Sequence, residues 1–156
     1  MKQRPWSKLQ KEIYLLISPD INFQIHCAAY PMRSQSGSAN LPRYWITLGK
    51  EIIWDYPKDF VTEEGLIKNC AGEVTQYYPY LSGVADISNL IREYIDTPKE
   101  QLLDKQFMND KWGLVNILRA ADRRIGARRL DDLKRKTHNV ATIKVIMRRR
   151  ENQIAE

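Results

Sequence analysis

The stretch INFQIHCAA, residues 21–29, alternates strictly, with Ile21, Phe23, Ile25, Cys27 and Ala29 on one side and Asn22, Gln24, His26 and Ala28 on the other. A period of two marks a strand with one buried face. The same period returns in PRYWITLGKEIIWDY, residues 42–56. Tyr44, Ile46 and Leu48 share one face of its first half, and Trp45 and Thr47 take the other. Gly49 and Lys50 supply the turn, because glycine tolerates positive φ. Ile52, Trp54 and Tyr56 are predicted to carry the apolar face of the return strand, which Pro57 stops. Three antiparallel strands in succession make a meander that a helix can cover. Residues 33–40, RSQSGSAN, carry no packing signal and read as a mobile polar loop.

Outside this block the period is helical. Before it, Trp6, Leu9, Ile13, Leu16 and Ile17 fall on one helical face, behind a capping-box spacing from Ser7 to Gln10. After it, a helix is predicted from Thr62 through Leu66, Ile67, Cys70, Ala71 and Val74. An aromatic loop at Tyr77–Tyr80 follows, then a helix capped by Asp86 with Ile87, Leu90, Ile91, Tyr94 and Ile95 on one side. Thr97-Pro98-Lys99-Glu100 has the form of a capping box with proline at the first helical position, ahead of Leu102, Leu103 and Phe107. Asn109 or Asp110 caps the next helix, whose core side is Trp112, Leu114, Leu118, Ala121 and Ile125. Gly126 can end or kink that helix. Leu130 and Leu133 continue the stripe, and Val140, Ile143 and Met147 mark a last helix after a break at 137–139.

The predicted fold class is therefore α+β: an N-terminal helix, a three-stranded antiparallel meander, then a C-terminal half of four to five helices. One domain accommodates 156 residues. Its expected parts are residues 1–60 as helix plus sheet and 61–150 as helices, with 151–156 as a disordered tail. The longest apolar runs are too short to span a bilayer. The start of the chain lacks the uninterrupted apolar core of a secretory signal, so a soluble cytoplasmic protein is expected, with Cys27 and Cys70 reduced.

Charge is distributed unevenly. From Asn116 onward there are 12 Lys and Arg against 5 Asp and Glu, a balance of +7, whereas the preceding residues hold 13 against 14. All of the net +6 thus comes from the last quarter of the chain. Such asymmetry favours an acidic partner, nucleic acid foremost. The candidate binding residues are Arg123, Arg124, Arg128, Arg129 and Arg135, with Lys134 and Lys136 beside them and Arg148, Arg149 and Arg150 as an extension. Guanidinium suits phosphate because it donates two parallel hydrogen bonds to an oxygen pair. Asp131 and Asp132 stand at helical pairing distance from these arginines, and Asp122 stands three residues after Arg119, its expected partner; the three carboxylates decide how much of the charge is available.

A second candidate surface is the polar side of the sheet, where alternation sets Gln24, His26, Trp45, Thr47, Glu51 and Asp55. His26 and Asp55 could do acid–base work of a hydrolase kind if they met in space. Phosphate loops, nucleophile elbows and zinc-spaced Cys or His sets are missing from the sequence, so neither a cofactor nor a metal is expected. The segments W-S-K-L (6–9), P-R-Y-W (42–45), I-W-D-Y-P (53–57) and D-R-R-I-G-A-R-R-L (122–130) resemble those of a family of small uncharacterised bacterial proteins. The resemblance implies a bacterial, stand-alone domain and names no catalytic residue. The expected function is a non-enzymatic binding protein whose basic C-terminal helices meet nucleic acid or an acidic protein surface. The alternatives are an enzyme around His26 and Asp55, and a subunit whose helices pair with a second copy.

Overall fold

Alternation does build a three-stranded sheet. β1 (Phe23–Ser34), β2 (Gly37–Leu48) and β3 (Glu51–Tyr56) pair antiparallel in the order β1-β2-β3. The structure, a computed structural model, describes residues 6–34, 37–56, 58–68, 86–107, 110 and 113–155. The register sets Phe23 opposite Leu48, Ile25 opposite Ile46, and Tyr44 opposite Tyr56. One face therefore collects Phe23, Ile25, Tyr44, Ile46, Leu48, Trp54 and Tyr56, all buried.

Two expectations about the sheet are corrected. Within the segment read as a polar loop at 33–40, the described residues 33–34 and 37–40 belong to the strands, with Arg33 opposite Ser38 and Ser34 opposite Gly37. A two-stranded ribbon is held by its backbone ladder, so it can extend where side chains give no packing signal. The second correction is a β-bulge. The register shifts between Ile46 and Thr47, which puts Trp54 opposite Ile46 but Ile52 opposite Thr47. Ile53 is the extra residue and is buried, while Ile52 is turned outward and 51% exposed. Glu51, expected on the polar side, pairs with Leu48 instead.

Five helices accompany the sheet among the described residues: α1 (Trp6–Tyr14), α2 (Asp86–Ile95), α3 (Leu114–Ala121), α4 (Ala127–Lys136) and α5 (Val140–Ala155). This is the expected α+β architecture, with four helices in the C-terminal half. Leu9 and Ile13 of α1 and Ile87, Leu90, Ile91 and Tyr94 of α2 are buried, one side of each helix, as their spacing requires. α1 packs on α2, and an ion pair joins Glu12 to Arg92. α1 also covers the β1 edge: the Tyr14 hydroxyl accepts the Ile25 N–H at 3.0 Å, and Gln10 donates to the Ile25 carbonyl at 2.7 Å. The Tyr44 hydroxyl lies 2.6 Å from that of Ser88, fastening the sheet to α2.

α3 is the centre of the helical half. Leu114, Val115, Ile117, Leu118, Ala120 and Ala121 are all buried. Asp110 caps it, accepting the N–H groups of Leu114 at 2.9 Å and Val115 at 3.0 Å. α3 packs on α5, which contributes Ala141, Val145 and Ile146, and α4 closes the layer with Leu130 and Leu133.

Four helical expectations fail, each for a local reason. Thr62 starts no helix. A small hairpin, β4 (Phe60–Val61) with β5 (Ile67–Lys68), stands there, and Thr62 exchanges hydrogen bonds with Leu66 across a turn at Gly65, φ +88°. The capping-box sequence at Thr97 yields a single 3-10 turn, Lys99–Gln101, because the Thr97 hydroxyl donates back to the Glu93 carbonyl at 2.8 Å. α5 buries Ala141, Val145 and Ile146 and leaves Val140 and Met147 about half exposed, so its inward face is rotated from the expected one. The tail expected from 151 is helical through Ala155. Cys70, Ala71, Val74, Tyr77–Tyr80, Asn109 and Trp112 lie outside the described residues.

Asn139, fully buried, ties the pieces together. Its amide nitrogen donates to the carbonyls of Val61 at 2.9 Å and Gly113 at 3.1 Å, and its oxygen accepts Thr142 N–H as the cap of α5. Gly113 is required at this junction. Its φ is +67°, and a Cβ there would stand 2.5 Å from the Val61 carbonyl oxygen.

Candidate nucleic-acid interface

The basic region begins where α3 stops. Residues 122–126 form a turn between α3 and α4, so Gly126 precedes a new helix rather than ending the old one. The turn is stitched to the segment after α1: Ser18 N–H donates to the Ala121 carbonyl at 2.8 Å, and Arg123 N–H to the Leu16 carbonyl at 2.7 Å. This geometry separates the arginines into an inward set and an outward set.

Asp122 is fully buried and organises the inward set. Its Oδ2 accepts the Tyr94 hydroxyl at 2.7 Å and Arg124 Nη2 at 2.7 Å. Its Oδ1 accepts both the backbone N–H of Arg124 at 2.8 Å and Arg124 Nε at 3.0 Å. The expected partner, Arg119, goes elsewhere: it donates to the carbonyls of Leu102 at 2.9 Å and Lys105 at 2.7 Å and to the Asn116 side chain. Burial and the neighbouring Asp122 push the Tyr94 phenol well above its ordinary range, and the hydrogen bonds from Arg124 to Asp122 raise the guanidinium's value further. Arg149, reaching from α5, is 7% exposed. It donates Nη1 to the carbonyls of Ala120 at 3.1 Å and Asp122 at 2.9 Å, and Nη2 to that of Ile125 at 2.8 Å. A cation thus meets the carbonyl end of α3, where the helix dipole is negative.

The outward set is different. Arg123, Arg128, Arg129, Lys134 and Lys136 are exposed, and no hydrogen bond or ion pair engages their side chains among the described residues. The aspartates that could neutralise them are committed: Asp131 to Arg150 at 3.7 Å, and Asp132 to Arg135. Arg148 pairs with Glu151 at 3.8 Å. The expected extension through Arg148, Arg149 and Arg150 therefore does not present three available cations. Arg128 and Arg129 stand with Lys99, Arg124, Gly126 and Ala127 around an open cleft of about 370 Å³. The first turn of α4 opens into this cleft with no side chain capping it at Gly126.

The polar side of the sheet places His26, Trp45 and Asp55 in one row, opposite each other across β1, β2 and β3. Trp45 stands between the other two. His26 stacks on it at 4.9 Å and contacts the Thr47 hydroxyl at 3.0 Å. Asp55 accepts two hydrogen bonds from Arg43, at 2.8 and 2.6 Å, and Arg43 lies over Trp45 at 4.6 Å. Burial lowers the His26 value. His26 and Asp55 share a row without sharing a contact, which is not the geometry of an acid–base pair.

One cleft went unnoticed in the sequence. It measures about 780 Å³ and includes Glu63, Asp110, Phe107, Asn116 and Arg119 in its walls. Burial raises the Glu63 carboxyl, against hydrogen bonds from Asn116 and Thr137. Its residues lie on three separate segments, Glu63 reading in sequence as part of a helix start and Asp110 as a helix cap, so no local pattern joined them. Among the described residues no group of three or more His, Cys, Asp or Glu is placed to hold a metal ion, and no helix is long and apolar enough to cross a membrane.

Fold and surface together define an α+β protein whose penultimate helix carries exposed cations, its two aspartates being ion-paired to other arginines. The chain belongs to the SF0329 protein family, whose model matches residues 5–150. No curated protein and no solved structure matches it.

Proposed function

We propose that this chain is a non-enzymatic binding protein of the bacterial cytoplasm, and that the basic surface of residues 123–136 receives the phosphates of nucleic acid. One observation carries the reading: five exposed cations, Arg123, Arg128, Arg129, Lys134 and Lys136, have no acidic partner among the described residues, while the nearby aspartates are tied to other arginines. Unneutralised guanidinium groups beside an open cleft favour polyanions by counterion release.

Filter binding of mixed-sequence nucleic acid at low salt tests it. Replacing Arg123, Arg128 and Arg129 together by alanine is expected to weaken binding on the order of 10-fold or more, with an unchanged melting temperature. Retention of an acidic protein but no nucleic acid would move the partner to the protein class. No retention of any polyanion would reject the surface altogether.

A second reading is self-association through α5, favoured by the outward Val140 and Met147, 50% and 48% exposed and two turns apart. Sedimentation at rising concentration decides it: a monomer throughout contradicts it.

A further inference from the structure

The order of charges along α4 says more about the polyanion, given the reading just proposed. Cations stand at both ends of the helix: Arg128 and Arg129 at the start, with Arg123 in the turn that precedes it, and Lys134 and Lys136 at the finish. Between them stand Asp131 and Asp132, both ion-paired, and the buried Leu130 and Leu133. Arg129 and Lys136 are seven residues apart, about 10.5 Å along a helix axis.

A single strand offers one continuous row of phosphates and is held best where aromatic rings stack on its bases. The described part of 123–136 contains no Phe, Tyr or Trp. Carboxylates in the middle of the cationic row would also lie against its phosphates. A duplex groove offers two rows with a gap between. The major groove of B-form DNA is about 12 Å wide, close to the separation of the two cationic ends. Carboxylates at mid-helix then lie over the gap, where phosphates are absent.

We infer that α4 bridges the groove of a B-form DNA duplex, with Arg123, Arg128 and Arg129 on one strand's phosphates and Lys134 and Lys136 on the other's. Nothing in this arrangement reads bases, so scrambled duplexes should bind alike.

Anisotropy titrations with a labelled DNA duplex, each of its single strands, and an RNA duplex of the same sequence provide the test. The DNA duplex should bind about 10-fold more tightly than either single strand or the RNA duplex. The double variants Arg128→Ala/Arg129→Ala and Lys134→Ala/Lys136→Ala should each lower the slope of log affinity against log salt by about 1.8 on the DNA duplex, at 0.9 per phosphate contact. Equal or tighter binding of a single strand or of RNA, or a lysine pair whose loss leaves the slope unchanged, overturns the bridge while leaving a phosphate-binding surface in place. Absence of binding by all of these probes at low salt overturns the surface as well.

Discussion

Asp122→Ala is expected to destabilise the fold by about 3–5 kcal/mol, the scale for removing one partner of a buried ion pair. The carboxylate is fully buried and accepts the Tyr94 hydroxyl, the Arg124 guanidinium and the Arg124 N–H together. Alanine leaves the phenol without its acceptor and the guanidinium, 20% exposed, without its counter-charge. Because folded domains hold margins of about 5–15 kcal/mol, chemical denaturation should show a large drop in midpoint. Asp122→Asn keeps an acceptor for Tyr94 and loses the charge, so its midpoint should fall between the two. A neutral outcome for alanine would mean that the turn is held by its backbone pairing to Leu16 and Ser18 alone.

Arg149→Met is expected to cost about 3 kcal/mol, measured the same way. Methionine can fill the volume of the arginine stem, which isolates the effect of the head group. That head donates to three carbonyls, those of Ala120, Asp122 and Ile125, at the carboxyl end of α3 and in the turn after it. The Asp122 carbonyl keeps a second donor, Ile125 N–H at 3.1 Å, so the loss falls mainly on the other two. A change below about 0.5 kcal/mol, typical of a surface substitution, would show that Arg149 is dispensable to the fold.

These two arginine environments mark the boundary of what the sequence discloses. Period alone located the start of β1, the buried side of α2 and the core positions Leu114, Leu118 and Ala121 of α3, and glycine chemistry located the Gly49 turn. Spacing was a poor guide where the chain leaves regular structure. Asp122 sits three residues after Arg119, a helical pairing distance, but α3 ends at Ala121 and the carboxylate turns to Arg124 instead. Asp131 could reach Arg128 or Arg135 along its own helix, and finds Arg150 on the neighbouring one. The bulge at Ile53 shifted Glu51 and Ile52 by one face, which alternation cannot foresee. Thr97 had the composition of a cap, and its hydroxyl was drawn back to the helix before it. The basic site was therefore visible as a charge excess, whereas the division into structural and available cations came from tertiary pairing.

Backbone amide mapping by NMR during titration with a short DNA duplex tests the central claim most directly, since it asks which face meets the polyanion. Perturbations are expected at Arg123, at residues 127–129 and at residues 134–136, fading as salt is raised. Perturbations confined to His26, Trp45 and Asp55 on the sheet, with α4 unmoved, would contradict the account.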